Sequence, residues 1–509
     1  MPEREARAMP EKPESADNAK ASRTKTSEVA SSNLPLTDPA KDFPRWYQDL
    51  VAKAELAENG PVRGTMVVRP WGYAIWERIQ ADLDQRIKAL GVDNAYFPSL
   101  LPERYLRLEA EHVEGFSPEL AVVTHAGGKD LEERVVIRPT SETVINAYFA
   151  KWIQSHRDLP MKVNQWVNVV RWELRPRLFL RTTEFLWQEG HTAHATKEEA
   201  RDFALEVLRE VYVDFMQEVL GIEVLAGRKT DSERFAGAVT TWTCEGMMGD
   251  GKALQMGTSH ELGQNFAKAF GITFLDQDGQ ESLVWQTSWG VSTRLMGALV
   301  MAHGDRSGLR LPPSVAPIQA VVLIARDGPG VAEAAKSLAN DLASSGIRAR
   351  LDDRLGTSFG RRAVDWEIKG VPVRVEIGPR DLQSGQVVLA RRDTGTKDSV
   401  SIQSAVTEVA RILQETTSNL HRESIERLRS NTFEVSSLSE AIEASESGFA
   451  SFPARLLRPE PGPHGETSSG ERELNESGVT VRCLIRPDGS LPAPGDGLED
   501  LTAIAARAY

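Results

Sequence analysis

Residues 163–169 read as an alternating run with Val163, Gln165, Val167 and Val169 on one side, and a second such run covers residues 185–191. Period-two alternation on both sides of a proline-containing connector predicts two antiparallel strands joined by a long loop. The first run leads into Arg171 and Glu173, and the connector holds Arg175, Pro176, Arg177 and Arg181. The second run carries Trp187, Glu189 and His191. Alternate residues of neighbouring strands share a face, which places Arg171, Glu173, Glu189 and His191 together. Packing alone does not account for so much charge on one face. A solvated strand face is the plain alternative; a site that grips a phosphate and an amino acid together is the functional one.

The rest of the chain supplies further elements. Residues 71–90 have a helical stripe (Ile75, Ile79, Leu83, Ile87) that stops at Gly91, and a strand over 94–97 runs into Pro98. Residues 135–137 form an apolar strand that ends near Pro139 and passes to a helix over 142–154, with Thr140 placed as its cap. Thr196 opens a capping-box helix whose apolar stripe runs to Gly221. Residues 254–266 set Gln255, Thr258, Ser259, His260 and Gln264 around Gly257 and Gly263, glycines that let backbone approach a ligand. Residues 288–300 place Gly290 before a strand-to-helix change and Arg294 in an otherwise apolar helix, where a cation is paired or ligand-facing.

After Pro312-Pro313 the pattern becomes βαβ: strands over 320–324, 347–351, 371–377 and 387–390, with a helix over 330–342. A helical pattern then runs from 410 to 447, a Pro- and Gly-rich mobile loop covers 453–478, and a short strand and an Ala-rich helix close the chain. Residues 1–40 have almost no large apolar side chains and are expected to be a disordered tail.

The length of 509 residues suggests two to four domains. The net charge of −13 argues weakly against nucleic acid as a whole-chain statement, but a local basic patch is compatible with it. Two cysteines, Cys244 and Cys483, without CxxC spacing exclude a disulfide framework and suit a reducing cytosol. No run approaches the roughly 20 apolar residues of a membrane span, and the first residues lack a signal-peptide core. A cytoplasmic protein is the expectation.

Three segments in order, Pro98 in NAYFPSLLPE, Arg171-Trp172-Glu173, and Gly290 with Arg294, resemble the three signatures of class II aminoacyl-tRNA synthetases. RPTSET, RTTEFLWQEGH and GTSHELGQNF are similar to the prolyl enzymes of the archaeal and eukaryotic form, more than to seryl, threonyl or histidyl relatives. The resemblance implies an α/β (α+β) architecture: an antiparallel-sheet catalytic domain at 41–312, an anticodon-binding α/β domain at 313–412, and a small α+β C-terminal domain at 413–509.

It also implies roles. Arg171 would hold the α-phosphate and the substrate carboxylate, and Arg294 the distal phosphates of a bent ATP. Glu173, Arg181, Thr182, Gln255, Thr258 and Ser292 match nucleotide-binding positions. Thr140, Glu142 and Glu189 would address the imino group of proline, while Phe116, Trp187, His191, Phe235 and His260 would surround its ring. ATP would come with magnesium, for which Glu245 is a candidate contact; a structural carboxylate is the alternative there. The anticodon-type domain would use basic residues such as Arg354, Arg361, Arg362, Arg374, Arg380, Arg391 and Arg392 on tRNA, although charge pairs on a solvated face explain several of them. A homodimer through the Pro98 segment is implied, as is a C-terminal Tyr509 that packs back toward the catalytic domain.

Relatives with a C-terminal zinc use four cysteines. Here Cys483 is the one cysteine in that region, with the histidines His421 and His464 far apart, too few for a tetrahedral four-cysteine site, so no zinc is expected. No large insertion separates the second and third signatures, so self-contained editing is not expected either. The rivals are a ligase for another amino acid, an RNA-binding paralogue without catalysis, and an enzyme that acylates a carrier other than tRNA. Retention of Arg171 and Arg294 argues against the silent paralogue.

Overall fold

The computed structural model describes residues 36–105, 120–458 and 468–509. The tail expected over residues 1–40 lies, up to residue 35, outside the described residues, as do Phe116 and His464.

One large sheet dominates. Its strands in chain order are β1 (Asp93–Asn94), β2 (Met161–Val170), β3 (Glu184–His194), β4 (Val224–Arg228), β5 (Thr240–Met247), β6 (Ala253–Gly263) and β7 (Trp285–Ser292). Four more come from the end of the chain: β8 (Thr432–Glu434), β9 (Phe449–Pro453), β10 (Thr480–Ile485) and β11 (Thr502–Ala506). The spatial order is β8-β9-β11-β10-β4-β5-β6-β7-β3-β2-β1. β2 and β3 are antiparallel, as the alternation predicts, with Gln165 opposite Glu189 and Val163 opposite His191. Gly190 has no side chain because the Trp289 ring of β7 lies there: a Cβ would come within 2.1 Å of it.

One face of the sheet is closed by helices that form the main core. The helix Pro70–Ala89 buries Ile75, Trp76, Ile79, Leu83 and Ile87, the stripe read from sequence. The helix capped by Thr196, which accepts from the Glu199 N–H, continues through wide π-type turns to Val219. In the helix Arg294–His303 every residue after the first is buried, so its apolar composition is that of a central helix. The cap of the helix Glu142–Trp152 differs from expectation. Ser141 occupies the cap without a bond to the helix; its hydroxyl is donated to Glu189 instead, and Thr140 donates to Glu142. The strand expected over 94–97 is shorter because Phe97 turns into the core, its N–H held by Gln165 at 3.1 Å.

Residues 320–401 form a second sheet in the order Ala349–Asp352, Ala320–Ile324, Val373–Ile377, Gln386–Arg391, Lys397–Ser401. Several arginines read as nucleic-acid contacts are already paired with carboxylates of the protein. Arg362 is buried against Asp352, Arg354 pairs with Asp352, and Arg374 sits between Glu367 and Glu376. Arg391 pairs with Asp393 and Glu415, and Arg392 with Asp305. Arg361 and Arg380 are exposed on its surface.

The final hundred residues depart most from expectation. The helical run breaks into Ala405–Ser430, the strand β8 and Leu438–Ala444. Part of the expected loop is ordered as a turn, Ala454–Leu457, and a helix, Ser469–Glu476, opened by a Ser468–Glu471 capping box; residues 459–467 lie outside the described residues. The Ala-rich end is the strand β11. Ala503 and Ala505 enter one apolar cluster and Ile504 and Ala506 another, a period of two that strand pairing on both sides imposes over alanine's helical preference. β10 meets β4 at Leu484 opposite Arg228. Gly227 permits the approach, since a Cβ there would lie 2.6 Å from that of Cys483.

Candidate active site

The open face of the sheet carries a cleft of about 560 Å³, floored by β3, β5, β6 and β7 and roofed by the loop between β2 and β3. Every residue that the resemblance assigns to proline or nucleotide and that lies among the described residues lines it; Glu245, Ser259 and Gln264 do not.

At one end the walls are acidic and aromatic. Glu189 is buried; Ser141 donates to its Oε1, Gln165 donates to the same oxygen at 2.6 Å, and His191 Nε2 lies 3.2 Å from Oε2. Burial alone would push the Glu189 carboxyl up, but the bond and charge of His191, with Ser141 and Gln165, hold it below its ordinary range. Burial likewise works against the His191 imidazolium, and Glu189 and Glu142 outweigh it, so the group titrates above its usual value. Glu142, 4 % exposed, accepts from Thr140 through Oε2; its other oxygen has no donor among the described residues. The Phe235 ring lies 4.6 Å from that of His260. Burial, aided by the charge of His191, drives the His260 pKa down to about 3, so it is neutral. Its Nδ1 shares the Thr241 hydroxyl at 3.0 Å, and the Phe235 N–H is donated to the same oxygen at 2.9 Å.

At the other end the cleft is cationic. Arg171 is held by Nε to the Pro139 carbonyl at 2.9 Å, with its guanidinium 5.1 Å from the Trp187 ring. Arg181 pairs with Glu173 at 3.5 Å. Arg294 is the first residue of its helix, next to Ser292, and makes only long bonds to the carbonyls of Leu180 (3.3 Å) and Gln255 (3.4 Å). No carboxylate pairs with it among the described residues. Burial, with Arg181 and Arg171 nearby, lowers its pKa to about 10. An unpaired guanidinium at a helix N-terminus, where the backbone is already positive, is arranged for an anion. Thr182 Oγ1, Ser288 Oγ and Trp187 Nε1 are buried in the cleft wall without a partner among the described residues, which leaves donors facing the same space.

Two readings are corrected, for Glu245 and for the pair Ser259 and Gln264. Glu245 is fully buried and both its oxygens are used, by Lys229 at 2.9 Å and by Arg482 at 2.9 Å, so it is a structural carboxylate rather than a metal contact. Gly257 lines the cleft and is also packed from behind: a Cβ there would press on Val291, Met216 and Tyr212. Ser259 and Gln264 turn away to the carbonyls of Ala204 and Leu283. Ser288, Thr241 and Lys229 line the cleft and were missed. Period two counted back from Ser292 through Gly290 reaches Ser288; nothing in the sequence marks Lys229.

The chain is 59 % identical to a proline–tRNA ligase of Frankia alni over 474 residues, covering 93 % of this chain and 99 % of that one. The chain belongs to the proline–tRNA ligase family. A proline–tRNA ligase 2 of Streptomyces avermitilis is 58 % identical over 93 % of this chain and 99 % of its own. The family described as tRNA synthetase class II core domain (G, H, P, S and T) matches residues 123–303, and the anticodon binding domain matches 319–412. Among solved structures, prolyl-tRNA synthetase from Cryptosporidium parvum complexed with halofuginone and AMPPNP matches with a TM-score of 0.85 at 35 % identity, over 94 % of this chain and 98 % of that one. The proline–tRNA ligase is thus a class II aminoacyl-tRNA synthetase, and its catalytic sheet is the one that carries the cleft.

Proposed function

We propose that this ligase activates L-proline with ATP to prolyl-adenylate and pyrophosphate, then passes the prolyl group to the terminal ribose of tRNA(Pro) with release of AMP. The observation that carries the reading is the polarity of one cleft: unpaired Arg294 and Arg171 at one end, Glu142 and the Phe235–His260 wall at the other. The proline carboxylate attacks the α-phosphorus in line. Arg171 spans the two reactants and offsets charge gathering on the pentavalent phosphorus, so positioning and electrostatics supply the catalysis. Arg294 takes the distal phosphates; Glu173, Arg181, Thr182, Gln255, Thr258 and Ser292 take the remainder of the nucleotide.

Glu142, with Thr140, receives the secondary ammonium of proline. Glu189 stands behind it with three donors already in place and orients His191. Trp187, Phe235 and His260 enclose the ring, and Phe116 is assigned there by resemblance alone. Magnesium enters with ATP, whose phosphates supply most of its ligands; no cluster of three acidic, histidine or cysteine residues stands ready for a metal among the described residues. Cys483 is a single buried thiol, and the ligase is expected to work without zinc.

The division into catalytic (41–312), anticodon-binding (313–412) and C-terminal (413–509) parts is the domain assignment we favour. Tyr96 and Leu100, on either side of Pro98, are exposed apolar side chains, as are Val122 and Trp152, which favours a homodimer. No described helix is long and apolar enough to cross a membrane; a cytoplasmic enzyme is the reading. Amino-acid-dependent pyrophosphate exchange tests the function: proline alone should support it, and Arg171→Ala should abolish it with the fold intact. Exchange with no amino acid, or a preference for threonine or serine, sinks the reading.

A further inference from the structure

Behind the cleft, the C-terminal segment reaches the wall at two separate places, one on the strand position opposite Gln255 and one in the loop before Phe235. In the first, Glu245 Oε1 accepts from Lys229 Nζ at 2.9 Å and from the Thr243 hydroxyl at 2.8 Å, while Oε2 accepts from Arg482 Nε at 3.0 Å and Nη2 at 2.9 Å. Lys229 lines the cleft, yet its side chain is only 2 % exposed and Arg482 only 9 %. A buried carboxylate shared by two cations from distant parts of the chain fixes all three groups. In the second, Ser232 donates to Glu471 Oε1 at 2.7 Å, while Glu471 Oε2 caps its own helix through Ser468.

The ties hold the loop at Lys229 and Ser232, and three residues further on comes Phe235, whose ring packs on His260 and whose N–H is donated to Thr241. A loop held at two points loses its freedom on folding rather than when a ligand arrives. We propose that Arg482 and Glu471 are positioning residues for the amino-acid side of the site. Acting through Glu245–Lys229 and through Ser232, they hold Phe235 in place, and the C-terminal segment thereby sets how tightly proline is bound.

This rests on the proline-activating reading, and the two fail separately: wild-type enzyme without proline-dependent exchange sinks that reading before any variant is made. KM for proline and KM for ATP are measured by pyrophosphate exchange in Arg482→Met, Arg482→Lys and Ser232→Ala. Arg482→Met and Ser232→Ala should raise the proline KM about tenfold, the lower end for a disturbed apolar pocket, with the ATP KM within about twofold of wild type. Arg482→Lys, which keeps one charged donor, should recover part of the loss. If Arg482→Met does not fold, Arg482→Lys and Ser232→Ala decide. An unchanged proline KM in the folded variants, or equal rises in both KM values, overturns the proposal.

Discussion

Replacing Arg294 with methionine should weaken catalysis and strengthen the fold at once. The guanidinium is taken from water into a wall with two long carbonyl bonds and other arginines nearby. A pKa lowered to about 10 from the ordinary guanidinium range means that the charged form is disfavoured in the fold by at most about 3 kcal/mol, less whatever cleft water recovers. The sign is that of a base whose folded pKa is depressed. The cost is present at every pH below about 10 and is relieved only as pH rises beyond it. Methionine keeps much of the stem's apolar contact and removes the charge, so the free enzyme should gain roughly 1–3 kcal/mol in denaturant unfolding. ATP at a hundred times its dissociation constant should stabilise wild type by about 2.7 kcal/mol and the variant by far less. Pyrophosphate exchange should fall at least about a hundredfold, as for loss of one preorganised charge contact. A variant that loses more than about 1 kcal/mol without ligand, or that ATP stabilises as well as wild type, refutes the view that this cation is held for an anion.

Three further outcomes are expected. Glu142→Gln should raise the proline KM by about 10–100-fold with little change for ATP, since a neutral amide is a poorer partner for an ammonium; steady-state exchange at varied proline and ATP checks it. Gly190→Ala should cost about 1–3 kcal/mol of stability and weaken proline binding, because its Cβ would meet the Trp289 ring at 2.1 Å between Glu189 and His191; denaturation and proline titration together check it. His303, buried with its pKa down to about 3, refuses a proton that the unfolded chain takes up near 6.5, so stability is lost as pH falls. From 6.5 to 5 the loss is about 2 kcal/mol, and His303→Gln should flatten the fall between pH 7 and pH 5 by that amount in paired denaturation curves.

The hairpin of β2 and β3 was legible because two β-rich runs flank a connector that cannot continue either strand. The helix stripes were legible because their periods survive without knowledge of neighbours. What failed depended on partners distant in sequence. Glu245 looked like a free carboxylate because Arg482 stands 237 residues away. The alanines of 503–506 looked helical because nothing nearby announces that β9 and β10 will flank them. Arg354 and Arg362 looked available for RNA, although Asp352, close in sequence, claims both; a charge run does not say which of its members are already matched. The amino-acid choice and the division of residues between nucleotide and proline came from resemblance to known ligases; the sheet face alone pointed to one site for a phosphate and an amino acid together.

The joining of β10 to β4 has a consequence for synthesis on the ribosome. Arg228 must wait for Leu484, and at about 5–20 residues per second the intervening chain takes roughly tens of seconds to emerge. Early in that interval β5, β6 and β7 emerge to join β3 and β4, while the outer edge of β4 offers unpaired backbone donors and acceptors to any passing strand. Glu245 meanwhile has only Lys229 to answer its charge. The nascent enzyme therefore passes through a long period with a half-built sheet margin, a natural place for a chaperone to bind and for truncated chains to aggregate.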